Sequence, residues 1–239
     1  MTTQLIAELS NAHNGDLGRA LAIIEACAEA GVSAMKFQAY TPAELCLLRG
    51  DGPAPEPWGS QGHTMRSLYE RAQTPLKWFP KLVAKCDDVG LPWFSSVFGV
   101  GSLALLEALD CPRYKLASLD YGKRTLLNAV RETGKPIIRS CNAERAPNRD
   151  DTWLYCPPGY PQPKAGLATI KAGHYDGYSY HGTDPLVPTL AVVHGARLVE
   201  FHVQLCDDEP SELEENVSLS ISQVGEVVRM VRRAEEVLA

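Results

Sequence analysis

Short apolar runs alternate with amphipathic stretches along the whole 239-residue chain. The first run, "QLIAEL", is followed by "DLGRALAIIEACAEAG", where Leu17, Ala20, Leu21, Ile24 and Cys27 fall at helical spacing and Gly31 stops the helix. "SAMKFQ" reads as the next strand. A Gly/Pro-rich stretch, "RGDGPAPEPWGSQGH", is too polar and broken for core structure and is expected to be a long loop. "TPLKWFPKLVAKCDDVG" predicts a helix with Thr74 as N-cap, Pro75 at its first position and Gly90 as its stop. Strand "PWFSS" then precedes helix "GSLALLEALD", and strand "RYKLAS" precedes helix "KRTLLNAVRETG". Strand "PIIRS" follows at once.

Beyond Ser140 the rhythm breaks. The polar segment "CNAERAPNRDD", containing Pro147, is too short for a full crossover helix before strand "TWLYC". A weak helix near Gly166 to Ala172 leads to strand "DGYSY". Helix "PLVPTLAVVHG", strand "RLVEFHV", an acidic loop "CDDEPSELEEN" and a last helix "SISQVGEVVRMVRRAEEVLA" complete the chain. Eight strands alternating with about seven helices predict an α/β fold, a closed (β/α)8 TIM barrel whose helix after the fifth strand is missing or vestigial. A single domain over residues 1–239 is expected, with no linker. Arg139 alternates with Ser140, so it should point out of the barrel where that helix would lie. Another subunit of a homo-oligomer, or the loop from Asn142 to Asp151, is expected to cover that side.

Composition narrows the function by exclusion. A formal charge of -6 and the lack of any Lys/Arg-rich run argue against a nucleic acid or an anionic membrane as partner. No apolar run approaches the roughly 18 residues that span a bilayer. The N-terminal "MTTQLIAELS" does not read as a signal peptide. Seven cysteines without a CxxC pair read as reduced thiols, so a cytoplasmic protein is expected.

Chemistry in such a barrel collects where strands end. There the sequence places Glu8, Lys36 with Gln38, Ser95 with Ser96, Lys115 with Ser118 and Asp120, Ser140, Tyr155, Ser179 with His181, and Glu200 with His202. Two lysines and several hydroxyls aimed at one mouth suit a phosphorylated, carboxylated anion. The two histidines end neighbouring strands and lie 21 residues apart, 202 minus 181. Two imidazoles with a carboxylate suit a divalent cation such as Mn²⁺ or Fe²⁺. Taken singly, each group has a plainer role: a core histidine, a lysine snorkelling at the rim, a serine capping a helix, a rim ion pair. Their coincidence across the strands is what points to a site.

The same residues sit in longer strings. "IAELSNAHNGD", "MKFQAY", "YKLASLD", "GYSYHGTD" and "GARLVEFHVQL" resemble, in order, the sialic acid synthase family, which includes pseudaminic and legionaminic acid synthases. The resemblance implies a (β/α)8 barrel that condenses phosphoenolpyruvate with an aldose or other aldehyde acceptor, releasing phosphate and giving a 2-keto-3-deoxy acid. It implies a divalent metal as cofactor, Mn²⁺ first, with Mg²⁺, Co²⁺ or Fe²⁺ as alternatives. Lys36, Lys115, Ser96, Ser118, Ser140 and Ser179 would hold phosphoenolpyruvate, and His181 and His202 the metal. Glu8 would handle acceptor and water, and Gln38, Asp120, Tyr160 and Glu214 would lie near the acceptor. Glu8, Lys36, Lys115 and His181 are the expected catalytic set.

The departures bear on the acceptor. The family's His-Cys-Thr string at the sixth strand is "YCPPGYP" here, with Pro158 apparently in place of a substrate-binding asparagine, and "YPTP" is "YPQP". Glu214 aligns with the family's acidic loop residue only after a one-residue insertion. The family's antifreeze-like domain, which contacts the acceptor's N-acyl group, has no counterpart in these residues, so N-acetylmannosamine is expected to be a poor acceptor. Two other functions fit the same residues: a metal-dependent aldolase or isomerase that does not use phosphoenolpyruvate, and a non-catalytic barrel acting as a binding or scaffold subunit.

Overall fold

Eight parallel strands pair in sequence order, and the eighth pairs back with the first, closing the barrel. They are β1 (Gln4–Glu8), β2 (Ala34–Ala39), β3 (Trp93–Val97), β4 (Tyr114–Leu116), β5 (Ile137–Cys141), β6 (Thr152–Tyr155), β7 (Gly177–Tyr180) and β8 (Leu198–Gln204). The structure is a computed structural model that describes every residue except 1, 57, 145, 147–149, 164–166, 172 and 207, and the side chain of residue 171. A short ninth strand, β9 (Ser218–Ser220), adds parallel to the end of β8, pairing Ser218 with His202. The sequence pattern left Ser218 and Leu219 between the acidic loop and the last helix, and gave Ser220 to the helix. Three residues are too few to show a period of two, which is why the strand is silent in the sequence.

The helices are α1 (Leu17–Ala30), α2 (Pro42–Arg49), α3 (Met65–Ala72), α4 (Phe79–Asp88), α5 (Val100–Ala108), α6 (Arg124–Glu132), α7 (Leu167–Lys171), α8 (Leu186–Val193) and α9 (Ile221–Leu238). α2 and α3 flank the expected Gly/Pro-rich loop and were not anticipated. Their signal is local: Thr41 and Glu44 form a capping box on α2, and Thr64 and Ser67 form one on α3. The start of α4 also differs from expectation. Leu76–Trp78 forms a 3₁₀ turn first, and the Thr74 hydroxyl turns instead to the Ser10 carbonyl and His13. α7 matches the weak helix expected over 166–172, whose end residues, like Pro147, lie outside the described ones. Among the described residues no helix is long and apolar enough to cross a membrane.

β5 runs to β6 without a helix among the described residues, and polar stacking covers the gap. Arg139 points outward as its alternation requires, yet is only 6% exposed. Its guanidinium lies 4.4 Å from the Trp153 ring centre and 5.5 Å from that of Tyr121. It donates to Asp151 Oδ2 at 3.1 Å and to the Tyr121 carbonyl at 3.2 Å. One cation between two aromatic faces, with its charge matched, thus seals the strand.

At β7 the barrel tightens. A Cβ on Gly177 would sit 2.0 Å from the Leu198 carbonyl oxygen, so only glycine permits this approach of β7 to β8. The register set there places Ser179 beside Glu200.

Arg139→Ala should lower unfolding stability by roughly 3 kcal/mol, the scale for removing one partner of a buried ion pair. Arg139→Lys should recover only part, because it keeps the charge but loses the planar stack. Urea denaturation checks both; a midpoint unchanged in Arg139→Ala would contradict the sealing role.

Candidate active site

Each strand presents one interior side chain near its end and another two residues further on. The deeper set is Glu8, Lys36, Ser96, Lys115, Ser140, Leu154, Ser179 and Glu200, all 3% exposed or less. The upper set is Ser10, Gln38, Phe98, Ala117, Asn142, Cys156, His181 and His202, and all of these line one cavity of about 660 Å³. Two short helices, α2 and α3, and the loop 157–160 build its walls.

The deeper set is a charge cluster centred on Glu200. Lys115 Nζ lies 3.1 Å from both Glu200 oxygens, and Ser179 Oγ donates to Oε1 at 3.1 Å. Lys36 Nζ stands 3.6 Å from the same Oε1, donates to Glu8 Oε2, and lies 3.0 Å from Ser96 Oγ. Burial alone would raise the Glu200 carboxyl, but Lys115 and then Lys36 outweigh it and hold it at about 2. Burial pulls the Lys36 ammonium down to about 8 against the attraction of Glu200. Its direct contact with Glu8 opposes that fall, so it stays cationic at neutral pH. The Ser140 hydroxyl is buried in this layer without a hydrogen-bond partner.

The upper layer is built around Glu214. Ser10 Oγ donates to its Oε1 at 2.8 Å, the Tyr160 hydroxyl donates to the same oxygen, and His202 Nδ1 lies 3.1 Å from Oε2. Burial works against the charge, but His202 and these donors hold the carboxyl at about 2. The His181 and His202 ring centres are 4.8 Å apart, and the Tyr160 ring stands against both. Burial, then His202, lowers His181 to about 3, so its imidazole is neutral.

Of the residues expected from sequence, Gln38, Ser118, Tyr160, His181, His202 and Glu214 line the cavity. Glu8, Lys36, Ser96, Lys115, Ser140 and Ser179 lie one layer beneath its floor. Asp120 is not on the wall: its buried carboxylate grips Arg49, which is. Three residues with site roles escaped the sequence analysis. Glu200 stood at a strand end without a role, although it shares a strand face with His202. Arg49 gave no signal. Gln162, in "YPQP", clamps His181: its Oε1 accepts the His181 N–H at 3.0 Å, and its Nε2 lies 2.8 Å from His181 Nδ1.

The two imidazoles fit part of a metal site. Each engages a neighbour through Nδ1, and the His202–Glu214 contact is the carboxylate–histidine arrangement common behind metal ligands. Among the described residues no third His, Cys, Asp or Glu joins them in a ligating group. Water or substrate oxygens would have to complete the coordination.

The NeuB family model matches residues 23–239. A pseudaminic acid synthase of Helicobacter pylori is 33% identical over 83% of this chain, and the chain spans 65% of that relative, slightly under two thirds of its length. A pseudaminic acid synthase of Campylobacter jejuni is 30% identical, covering 98% of this chain and 74% of that protein. The crystal structure of an N-acetylneuraminic acid synthetase from Leptospira borgpetersenii, in complex with citrate, superposes with a TM-score of 0.85 at 25% identity, covering all of this chain and 86% of that one.

The cluster has a pH signature. Glu200 and Glu214 are depressed in the folded state from the ordinary 4.5 to about 2. Their contribution to stability is complete above 4.5 and is lost as pH falls toward 2. Unfolding free energy from urea titrations should therefore drop through that window. In Glu200→Gln the drop should be shallower, from a lower starting stability at neutral pH.

Proposed function

The chain belongs to the NeuB family, and from that premise we propose that it condenses phosphoenolpyruvate with a sugar-like aldehyde, releasing phosphate and forming a 2-keto-3-deoxy acid. The observation that carries this reading is the layer beneath the cavity floor. Two ammoniums, the hydroxyls of Ser96 and Ser179, and the unpartnered hydroxyl of Ser140 converge there, a donor set suited to phosphate and carboxylate oxygens.

In the free protein both ammoniums are matched by Glu8 and Glu200. A phosphorylated carboxylate can enter only by taking over their hydrogen bonds. Lys36 and Lys115 then fix the anion, Ser96, Ser140 and Ser179 add donors, and Glu8, released from Lys36, becomes available to orient water. Above this layer Glu214, ionised, holds His202 and Tyr160 and faces the acceptor. A divalent metal, Mn²⁺ first, would be held by His181 and His202 and would supply Lewis-acid polarisation of the acceptor aldehyde. Gln162 keeps His181 in place for that role.

Incubation with Mn²⁺, phosphoenolpyruvate and a panel of aldoses should release phosphate in step with a new acid seen by mass spectrometry. Lys36→Met and Lys115→Met should each weaken phosphoenolpyruvate binding by about 2–5 kcal/mol. Turnover that ignores phosphoenolpyruvate would favour a metal-dependent aldolase instead. Native mass spectrometry tests the metal assignment separately: the His181→Ala, His202→Ala double variant should lose the bound ion, and full stoichiometry in that variant would refute it.

A further inference from the structure

Gln162 and His181 are joined at three points. The Gln162 backbone N–H donates to the His181 carbonyl at 2.7 Å, the His181 backbone N–H donates to Gln162 Oε1 at 3.0 Å, and Gln162 Nε2 lies 2.8 Å from His181 Nδ1. The first two contacts fix where the imidazole sits. The third fixes where its proton sits. The direction of the Gln162 amide follows from its partners. A backbone N–H can only donate, so the end of the amide that meets it is the oxygen. The other end lies 3.1 Å from the Pro157 carbonyl and 3.0 Å from the Ser179 carbonyl, so it is the NH₂. Turning the amide over would set N–H against N–H and one oxygen against two others, in a residue that is buried.

An amide NH₂ donates and does not accept. A proton on His181 Nδ1 would therefore face another donor at 2.8 Å. Cys156 Sγ, 3.9 Å from the same nitrogen, is too weak an acceptor to offset that contact. Nδ1 accepts, which puts the proton of the neutral ring on Nε2. His202 is arranged the opposite way. Its Nδ1 lies 3.1 Å from Glu214 Oε2, a carboxylate oxygen that only accepts, so Nδ1 carries a proton and, in the neutral ring, Nε2 keeps its lone pair. One imidazole is preset to ligate a cation. The other has both nitrogens committed, one to an incoming N–H and one to its own proton.

We infer that Gln162 locks His181 as a neutral hydrogen-bond donor and so opposes metal ligation by it, making the pair a cation site that His202 leads and that holds an ion weakly for as long as the bond from Gln162 to Nδ1 persists. The pairing of the two histidines around one ion rests on the synthase reading. Gln162 is thus a positioning residue with two opposed effects: its Oε1 seats His181, while its N–H sets the ring against the ion. Threonine, at this place in the family's "YPTP", has no amide N–H to offer; "YPQP" supplies one.

Long-range ¹H–¹⁵N NMR of the metal-free full chain at neutral pH reads the proton directly, because ring-nitrogen shifts distinguish the two neutral forms; His181→Asn and His202→Asn assign the signals. His181 should carry its proton on Nε2 and His202 on Nδ1. A wild-type His181 with its proton on Nδ1, or on both nitrogens, overturns the inference. Gln162→Glu offers Nδ1 an acceptor of the same shape, and Gln162→Thr withdraws the amide N–H. Both should move the His181 proton to Nδ1 and tighten Mn²⁺ binding, read from the electron paramagnetic resonance signal of the free ion. The gain should be about tenfold or more in Gln162→Glu, the scale of groups that stand behind metal ligands, and smaller in Gln162→Thr. A residue that merely held His181 in place would loosen the ion when replaced, so Mn²⁺ affinity that falls or stays unchanged overturns the inference. Should Gln162→Glu not fold, Gln162→Thr and the wild-type spectrum decide. Phosphate release from phosphoenolpyruvate by the wild type separates the two readings. Turnover with the His181 proton on Nδ1 removes the lock and leaves the synthase; no turnover, with the proton on Nε2 and Mn²⁺ tightened in the variants, does the reverse.

Discussion

Two lysines buried at the centre of a barrel cannot remain charged without partners, and that requirement organises this molecule. Desolvating an ammonium costs several kcal/mol, and only close, hydrogen-bonded carboxylates offset it. Lys36 and Lys115 meet the need through Glu8 and Glu200, contributed by β1 and β8, with Ser96 and Ser179 taking further contacts. Side chains from six of the eight strands are thereby tied to one point. The tie fixes strand register as firmly as the backbone ladder does, since sliding a strand by one residue would turn its charged group out of the cluster. It also leaves a floor that is neutral as a whole but made of replaceable contacts.

Glu214 does for the upper layer what Glu200 does below. It lies in the connection between β8 and β9, outside the strands, and still reaches into the cavity to hold Ser10, Tyr160 and His202. Three buried carboxylates, Glu8 and Glu200 below and Glu214 above, thus keep the basic groups of the site in defined positions.

How legible all this was depended on sequence distance. Strand alternation told which residues share a face, so Lys36 with Gln38, and Glu200 with His202, were visible as pairs. The strings around them made the barrel and the family resemblance readable from end to end. What escaped depends on contacts between distant segments. Arg49 and Asp120 are 71 residues apart and meet only because β2 and β4 deliver their loops to one rim. Asp120 was placed near the acceptor by its match to the family's acidic residue; in the structure its carboxylate grips Arg49 at the end of α2. Glu200 was in view but its role was not, because a hub is defined by its partners. α2 and α3 could have been found from their capping boxes, which were hidden beside a loop rich in glycine and proline.

The wall and the floor of the cavity are built from separate parts of the chain. The wall of α2 and α3 rests on two eight-residue helices with their own caps and a small cluster of Tyr40, Leu45, Cys46, Tyr69 and Phe98, distinct from the barrel core. The floor belongs to the strands. Descent with modification can therefore act on the two at different rates. An exchange at position 49 or 69 reshapes the rim while the lysine cluster is undisturbed, so the rim can diverge by drift in sixteen helical residues without touching the floor.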